Sequence, residues 1–162
     1  MGRLDKKVAI ITGGAGGQGK VEARLFAQEG AKVVATDLND TLLAATVKEI
    51  NDELGSDAVL GVKHDISSES DWTAVVTKAI AAFGTVDILV NNAAMPGKTR
   101  EDVWAIDVEE TTRILSVNLT GTLLGIKAVV PEMKKNGRGS IVNISSAAGL
   151  VGGISGGSVA YS

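Results

Sequence analysis

The chain has 162 residues, enough for one domain with a substantial core. Sixteen basic against nineteen acidic residues leave a net charge of −3, which gives no electrostatic footprint for nucleic acid or an anionic membrane. With no cysteine and a single histidine, His64, the composition argues against disulfides, thiolate catalysis, a zinc centre and a histidine triad, and no metal site is expected. No apolar run approaches the roughly 18 residues that span a bilayer, and the N-terminus lacks a signal-peptide pattern. A cytoplasmic protein is expected.

The first βαβ unit dominates the reading. Val8–Thr12 is a short apolar, β-branched run, Gly13–Gly19 holds five glycines, a helical run follows to Glu29, and Lys32–Asp37 is a second apolar run ending in an acid. Glycine lets the backbone turn sharply and lets a pyrophosphate lie against it, and the helix that follows points free N–H groups at that phosphate. Asp37 stands eighteen residues past Gly19, where a carboxylate can accept hydrogen bonds from ribose hydroxyls. The glycines satisfy three spacings at once (14/16/19, 13/17/19 and 13/16/19), so the loop alone does not choose a subfamily. A 2′-phosphate beside Asp37 would be repelled, no basic residue lies within 13–19, and Leu38 and Asn39 follow the acid. NAD is therefore favoured over NADP.

Asn39 or Asp40 can cap a helix to about Leu54, with Gly55 ending it. Ala58–Val62 is a third strand closing at Lys63-His64-Asp65, and Ser67 or Ser68 caps a helix to Ala82 that Phe83-Gly84 stops. Val86–Val90 is a fourth strand running into Asn91-Asn92-Ala93-Ala94, and Met95–Ala105 reads as a loop. Asp107 with Glu110 makes a capping-box pattern for a long helix over 108–135, and Ser140–Ile144 is a fifth strand. Five strand–helix alternations without a linker predict one α/β domain over 1–162 with a doubly wound parallel sheet of Rossmann type. Its polar residues Thr12, Asp37, Asp65, Asn91 and Ser145–Ser146 gather at the strand carboxyl ends.

These residues resemble the classical short-chain dehydrogenase/reductase family. Thr12-Gly-x-x-x-Gly17-x-Gly19 matches its cofactor loop, and Asn91-Asn92-Ala93 its fourth-strand motif, with Ala94 where glycine is commoner. Asn118, Ser146 and Tyr161 match its catalytic Asn, Ser and Tyr. The resemblance implies strand order 3-2-1-4-5 and hydride transfer between a nicotinamide and a secondary alcohol or ketone. Tyr161 would be the general acid/base, Ser146 would polarise the substrate oxygen, and Asn118 would hold water in a proton relay. The implied cofactor set is Thr12, Gly13, Gly17, Gln18, Gly19, Asp37 and Leu38, with Asp65 and Ile66 toward the adenine. Asn91 would meet the adenosine ribose or the strand framework, and Ala93 completes the set. For Asp65 a helix-capping role weighs about as much.

Two departures from the family pattern stand out. Tyr161 lies fifteen residues after Ser146, two more than usual, which leaves Ser145 as an alternative to Ser146. The chain ends at Tyr161-Ser162, before the lysine that completes the Tyr-x-x-x-Lys motif. The expectation is therefore an inactive N-terminal part of a longer enzyme, homo-oligomeric (tetramer or dimer) in its full form. The alternative is a non-catalytic NAD-binding module or interaction protein. An epimerase or dehydratase of the extended relatives fits the 13/16/19 spacing but not Asn-Asn-Ala.

Overall fold

The computed structural model of the protein describes residues 2–97 and 103–146. Five parallel strands form one sheet in the order β3-β2-β1-β4-β5: β1 Val8–Thr12, β2 Lys32–Asp37, β3 Val59–Lys63, β4 Ile88–Asn91 and β5 Ser140–Asn143. The predicted order is the observed one. Chain order reverses between β1 and β4, which opens a crevice at their carboxyl ends.

Strand alternation divides the core into two layers. Ala9, Ile11, Val33 and Ala35 pack against helices α1 (Gly17–Gln28) and α2 (Asp40–Leu54) through Ala23, Ala27, Leu43 and Ile50. Ile10, Val34, Val62 and Leu89 face the other layer, made by α3 (Glu69–Phe83) and the long helix after β4. A sheet covered on both faces explains why β1 is apolar and buried along its whole length rather than alternating.

The helix boundaries follow the local chemistry. Of the paired candidates, Asn39 caps α2 by accepting from the Leu42 N–H, and Ser68 caps α3 by accepting from the Asp71 N–H. Gly55 and Gly84 end these helices with φ of 61° and 84°, the left-handed region that a side chain disfavours. Asp107 accepts from the N–H groups of Glu109 and Glu110 and starts the long helix as expected.

That helix is not uniform. It runs as α4 (Val108–Leu115), a π-helical turn at Ser116–Thr120 and α5 (Gly121–Lys135), with Pro131 inside α5. Its buried stripe, Gly121, Gly125, Val129 and Met133, recurs every four residues and lies against Ile66 and Trp72. A Cβ on Gly125 would stand 2.7 Å from the Trp72 ring, so the close crossing of α3 and α5 depends on glycine there. One expectation needs correction. Residues 108–135 form a helix long and apolar enough to cross a membrane by length and composition, because polar Asn118 and Lys127 interrupt the apolar run without making the segment hydrophilic.

The amino ends of the strands are fastened at Asp87, which is 3% exposed. Its Oδ2 accepts from the Val8 N–H at 3.1 Å, and its Oδ1 accepts from Arg138 Nε at 3.1 Å. One carboxylate thus ties β1, the entry to β4 and the turn into β5. Replacing Asp87 with Ala leaves the Val8 N–H buried and unpaired, and should lower stability by about 1–3 kcal/mol. Urea denaturation of the variant against the parent chain measures this.

Candidate nucleotide-binding site

The glycine turn leaves β1 through Gly13, at φ 71°, and enters α1 through Gly17, at φ 53°. Two of its glycines are required by packing. A Cβ on Gly19 would lie 2.2 Å from the Gly13 carbonyl oxygen, and one on Gly14 would lie 2.9 Å from the Ala35 Cβ. Two others face open space: a Cβ on Gly17 would meet nothing within 4 Å, and one on Gly16 only a Leu42 methyl at 3.9 Å. The turn is thus pressed against the sheet on one side and bare on the other.

Gly16 is the N-cap of α1 and offers no side-chain acceptor, and the first turn carries no acidic residue. The leading N–H groups and the positive end of the dipole are left for an external anion. The donor set and the missing Cβ atoms fit a pyrophosphate.

Asp37 ends β2 beside this turn. Its Oδ2 accepts from the Ala15 N–H at 3.1 Å and its Oδ1 from the Asn39 N–H at 2.9 Å. The acid therefore braces the glycine turn as well as bordering the cavity. Leu38, next along, is 64% exposed at the rim.

Thr12 and Asn92 lock β1 to β4 behind the turn. Thr12 Oγ1 donates to the Val90 carbonyl at 3.3 Å and accepts from the N–H groups of Asn92 and Ala93, each at 3.0 Å. Asn92 Nδ2 returns a bond to the Thr12 carbonyl at 2.8 Å. Asn91 points the other way, with Nδ2 donating to Asn143 Oδ1 at 2.9 Å, and so joins β4 to β5.

The resulting cavity has a volume of about 790 Å³. Gly13, Gly16, Asp37, Asp65, Ile66 and Ala93 contribute to its wall. Ser116, Val117 and Arg113 enter from the long helix. The size suits a ligand larger than a mononucleotide.

Beside the cavity, the π-helical turn presents Asn118. Its Oδ1 accepts from the Met95 N–H at 2.8 Å and its Nδ2 donates to the Met95 carbonyl at 3.1 Å. The amide acts as one rung of a sheet ladder, holding the chain after β4 against the helix. Ser146 lies just beyond β5, whose exit is set by the bond from the Ile144 N–H to the Asn91 carbonyl at 2.9 Å.

Comparison with known proteins agrees with this geometry. The short chain dehydrogenase family pattern matches residues 7–162. The chain belongs to that family. Short-chain dehydrogenase relatives include trans-4-hydroxycyclohexanecarboxylate dehydrogenase of Sinomonas cyclohexanicum, 46% identical over 154 residues, covering 93% of this chain and 58% of the relative. The 3-alpha-(or 20-beta)-hydroxysteroid dehydrogenase of Mycobacterium tuberculosis is 46% identical over 151 residues, covering 93% of this chain and 55% of the relative. Among solved structures, 3-ketoacyl-(acyl-carrier-protein) reductase from Brucella melitensis complexed with NADH superposes with a TM-score of 0.83 at 39% identity. That match covers 90% of this chain and 59% of the reductase. The chain thus spans a little over half the length of these short-chain dehydrogenases.

Within the dehydrogenase framework, the sequence-predicted residues separate into three groups. Gly13, Asp37, Leu38, Asp65, Ile66 and Ala93 border the cavity. Thr12, Gly19 and Asn91 are framework, Gly17 shapes the turn, and Gln18 turns its amide to Glu22 at 2.8 Å. Asp65 accepts from the Ser67 N–H and hydroxyl at 2.9 and 2.6 Å and so supports the approach to α3, where Ser68 is the cap. Tyr161 lies outside the described residues. Asn92 and Arg113 were missed. Strand alternation, which sends Asn92 opposite to Asn91, is the signal that finds the first.

His64 is 2% exposed at the cavity floor. Its Nδ1 pairs with Thr36 Oγ1 at 3.0 Å, its ring meets Trp72 edge-on at 4.3 Å, and its Nε2 has no partner among the described residues. Burial pushes the imidazole down to about 4, against the opposing pull of Asp71 and Asp65. The unfolded chain takes up a proton below about pH 6.5 that the folded chain refuses, so stability falls as pH drops from 6.5 toward 4, by about 3 kcal/mol. As the one histidine in the chain, its ring resonance needs no assignment. NMR titration should show it neutral until the pH nears 4; a midpoint at 6.5 would contradict the burial.

Proposed function

We propose that the chain is the cofactor-binding part of an NAD-dependent oxidoreductase of the short-chain type, passing hydride between nicotinamide and a secondary alcohol or ketone. The observation that carries this reading is the Asp37 carboxylate, fixed at the cavity edge by the N–H groups of Ala15 and Asn39 beside the bare face of the glycine turn. The leading amides of α1 would hold the pyrophosphate, and Asp37 the adenosine ribose. Leu38, Asp65 and Ile66 would border the purine, with Ala93 on the far wall; Gly17 and Gln18 would meet the phosphates. Thr12, Gly13, Gly19 and Asn91 would keep this arrangement rigid.

NAD, when bound, supplies the hydride acceptor. The chain's own part is to place and protonate the substrate. Ser146 would donate a hydrogen bond to the substrate oxygen, and Tyr161 would exchange the proton with it. A free tyrosine has a pKa of about 10, so use near neutrality requires roughly 4 kcal/mol of preferential phenolate stabilisation. The family lysine, four residues after the tyrosine, would supply most of it. Asn118, in its clamp on Met95, would hold the relay water and shape the cavity.

The relatives' names point to an alcohol on an alicyclic ring, as in the hydroxycyclohexanecarboxylate and hydroxysteroid dehydrogenases. The full-length protein is proposed to be a homo-oligomer through the long helix. There Leu115, Leu119 and Leu123 recur every four residues and are 38%, 56% and 56% exposed.

Two measurements test the reading. In calorimetric titration NADH should bind at least tenfold more tightly than NADPH, because the 2′-phosphate faces Asp37. Asp37→Asn should weaken NADH about 10- to 100-fold, the worth of a hydrogen bond to a charged acceptor. Equal affinity for the two cofactors in the parent chain would defeat the NAD assignment. Separately, a chain extended through a lysine four residues after Tyr161 should oxidise cyclic secondary alcohols with NAD, while the 162-residue chain should not. Turnover by the short chain would show that the phenolate needs no lysine.

A further inference from the structure

Arg113 is the cavity side chain that the reading above leaves unused. It sits on the exposed face of α4, borders the cavity, and makes no hydrogen bond or ion pair with any described residue. Among the described wall residues it is the one cationic group, since His64 is buried and neutral, while Asp37 and Asp65 bring two carboxylates.

Its height in the cavity follows from the contacts below it. Gly121 rests on Ile66, where a Cβ would be 3.0 Å from both the side chain and the carbonyl oxygen. Asn118 is tied to Met95 by two hydrogen bonds. Arg113 comes five residues before Asn118, about 7 Å further along the axis at 1.5 Å per residue. It therefore stands above the rim formed by Ile66 and Met95, on the side where the long helix closes the cavity.

The order of groups in a dinucleotide fixes what reaches that height. With the pyrophosphate on the glycine turn and the ribose at Asp37, the base continues past Asp37 toward Leu38 and the end of β3 at Asp65–Ile66. Leu38, just past the end of β2, and Arg113, on the long helix, both line the cavity. The guanidinium is planar and weakly hydrated, and it stacks on aromatic faces more readily than an ammonium.

We propose that Arg113 stacks its guanidinium on the purine of the bound cofactor, closing the adenine side of the cavity. This rests on the dinucleotide reading and adds a base-holding residue to it. A cation over the ring also offsets the two wall carboxylates, which otherwise disfavour a doubly anionic ligand.

Calorimetric titration of the parent chain, R113A and R113K with NADH and with AMP tests it, at low salt and at about 0.5 M NaCl, where interactions between exposed charges farther apart than a few Å are largely screened. R113A should lose about five- to thirtyfold in affinity for both ligands, most of that loss should persist at high salt, and R113K should recover only part of it. Arg113 is exposed, so the variants should keep the parent's thermal midpoint. Unchanged AMP affinity in R113A would overturn the proposal. So would a loss that vanishes at high salt, or full recovery by R113K, since either marks charge pairing with phosphate. A parent chain that binds neither NADH nor AMP would instead remove the dinucleotide reading, and this proposal with it.

Discussion

The site depends on how closely α1 approaches β1. The Gly19 backbone lies so near the Gly13 carbonyl oxygen that a single methyl group between them would stand 2.2 Å from it. That approach brings the N-terminal amides of α1 over the end of β1. It also sets the turn beside Asp37, which closes it by accepting from Ala15. From behind, the Asn92 amide donates to the Thr12 carbonyl at the end of β1, while the N–H groups of Asn92 and Ala93 donate to the Thr12 hydroxyl. A longer spacing at residue 19 would tilt the helix away, and both the anion cradle and the acid would lose their register together.

Function divides along the same line. Residues on the open side of the turn, Gly16 and Gly17, have room for a ligand where a side chain would otherwise be. Residues on the closed side, Thr12, Gly14, Gly19 and Asn92, are spent on packing and hydrogen bonds. A cofactor loop therefore contains both kinds of glycine within seven positions, and a motif written as spacings does not distinguish them.

All five strands were legible because the apolar runs are short, β-branched and separated by helices with clear caps at Asn39, Ser68 and Asp107, whereas their order in the sheet came only from the family resemblance. The acid at the tip of β2 was legible from distance along the chain alone. Side-chain direction was less so. Asn91 and Asn92 are adjacent and alike in chemistry, yet one joins β5 and the other β1, and only the pleat decides which. Gln18 illustrates the opposite case, a motif residue whose amide is engaged by Glu22 on its own helix. His64 read only as part of a strand end, and its buried pairing with Thr36 of β2 carries no sequence signal. Arg113 was invisible because a basic residue on an exposed helical face ordinarily means solvent.

The π-helical turn at Ser116–Thr120 gives the long helix a phase break between its two halves. Below it, the glycine stripe seats α5 on α3; above it, α4 faces the cavity. An added residue in such a turn rotates everything upstream by about 100° relative to a plain α-helix. Deleting one residue from 116–120 would thus act as a dial: the lower half would stay docked, while Arg113 would swing off the cavity wall and another face of α4 would take its place. An insertion or deletion here would re-aim one wall of the crevice without touching the sheet, and would shift Asn118 and its clamp on Met95 along with it.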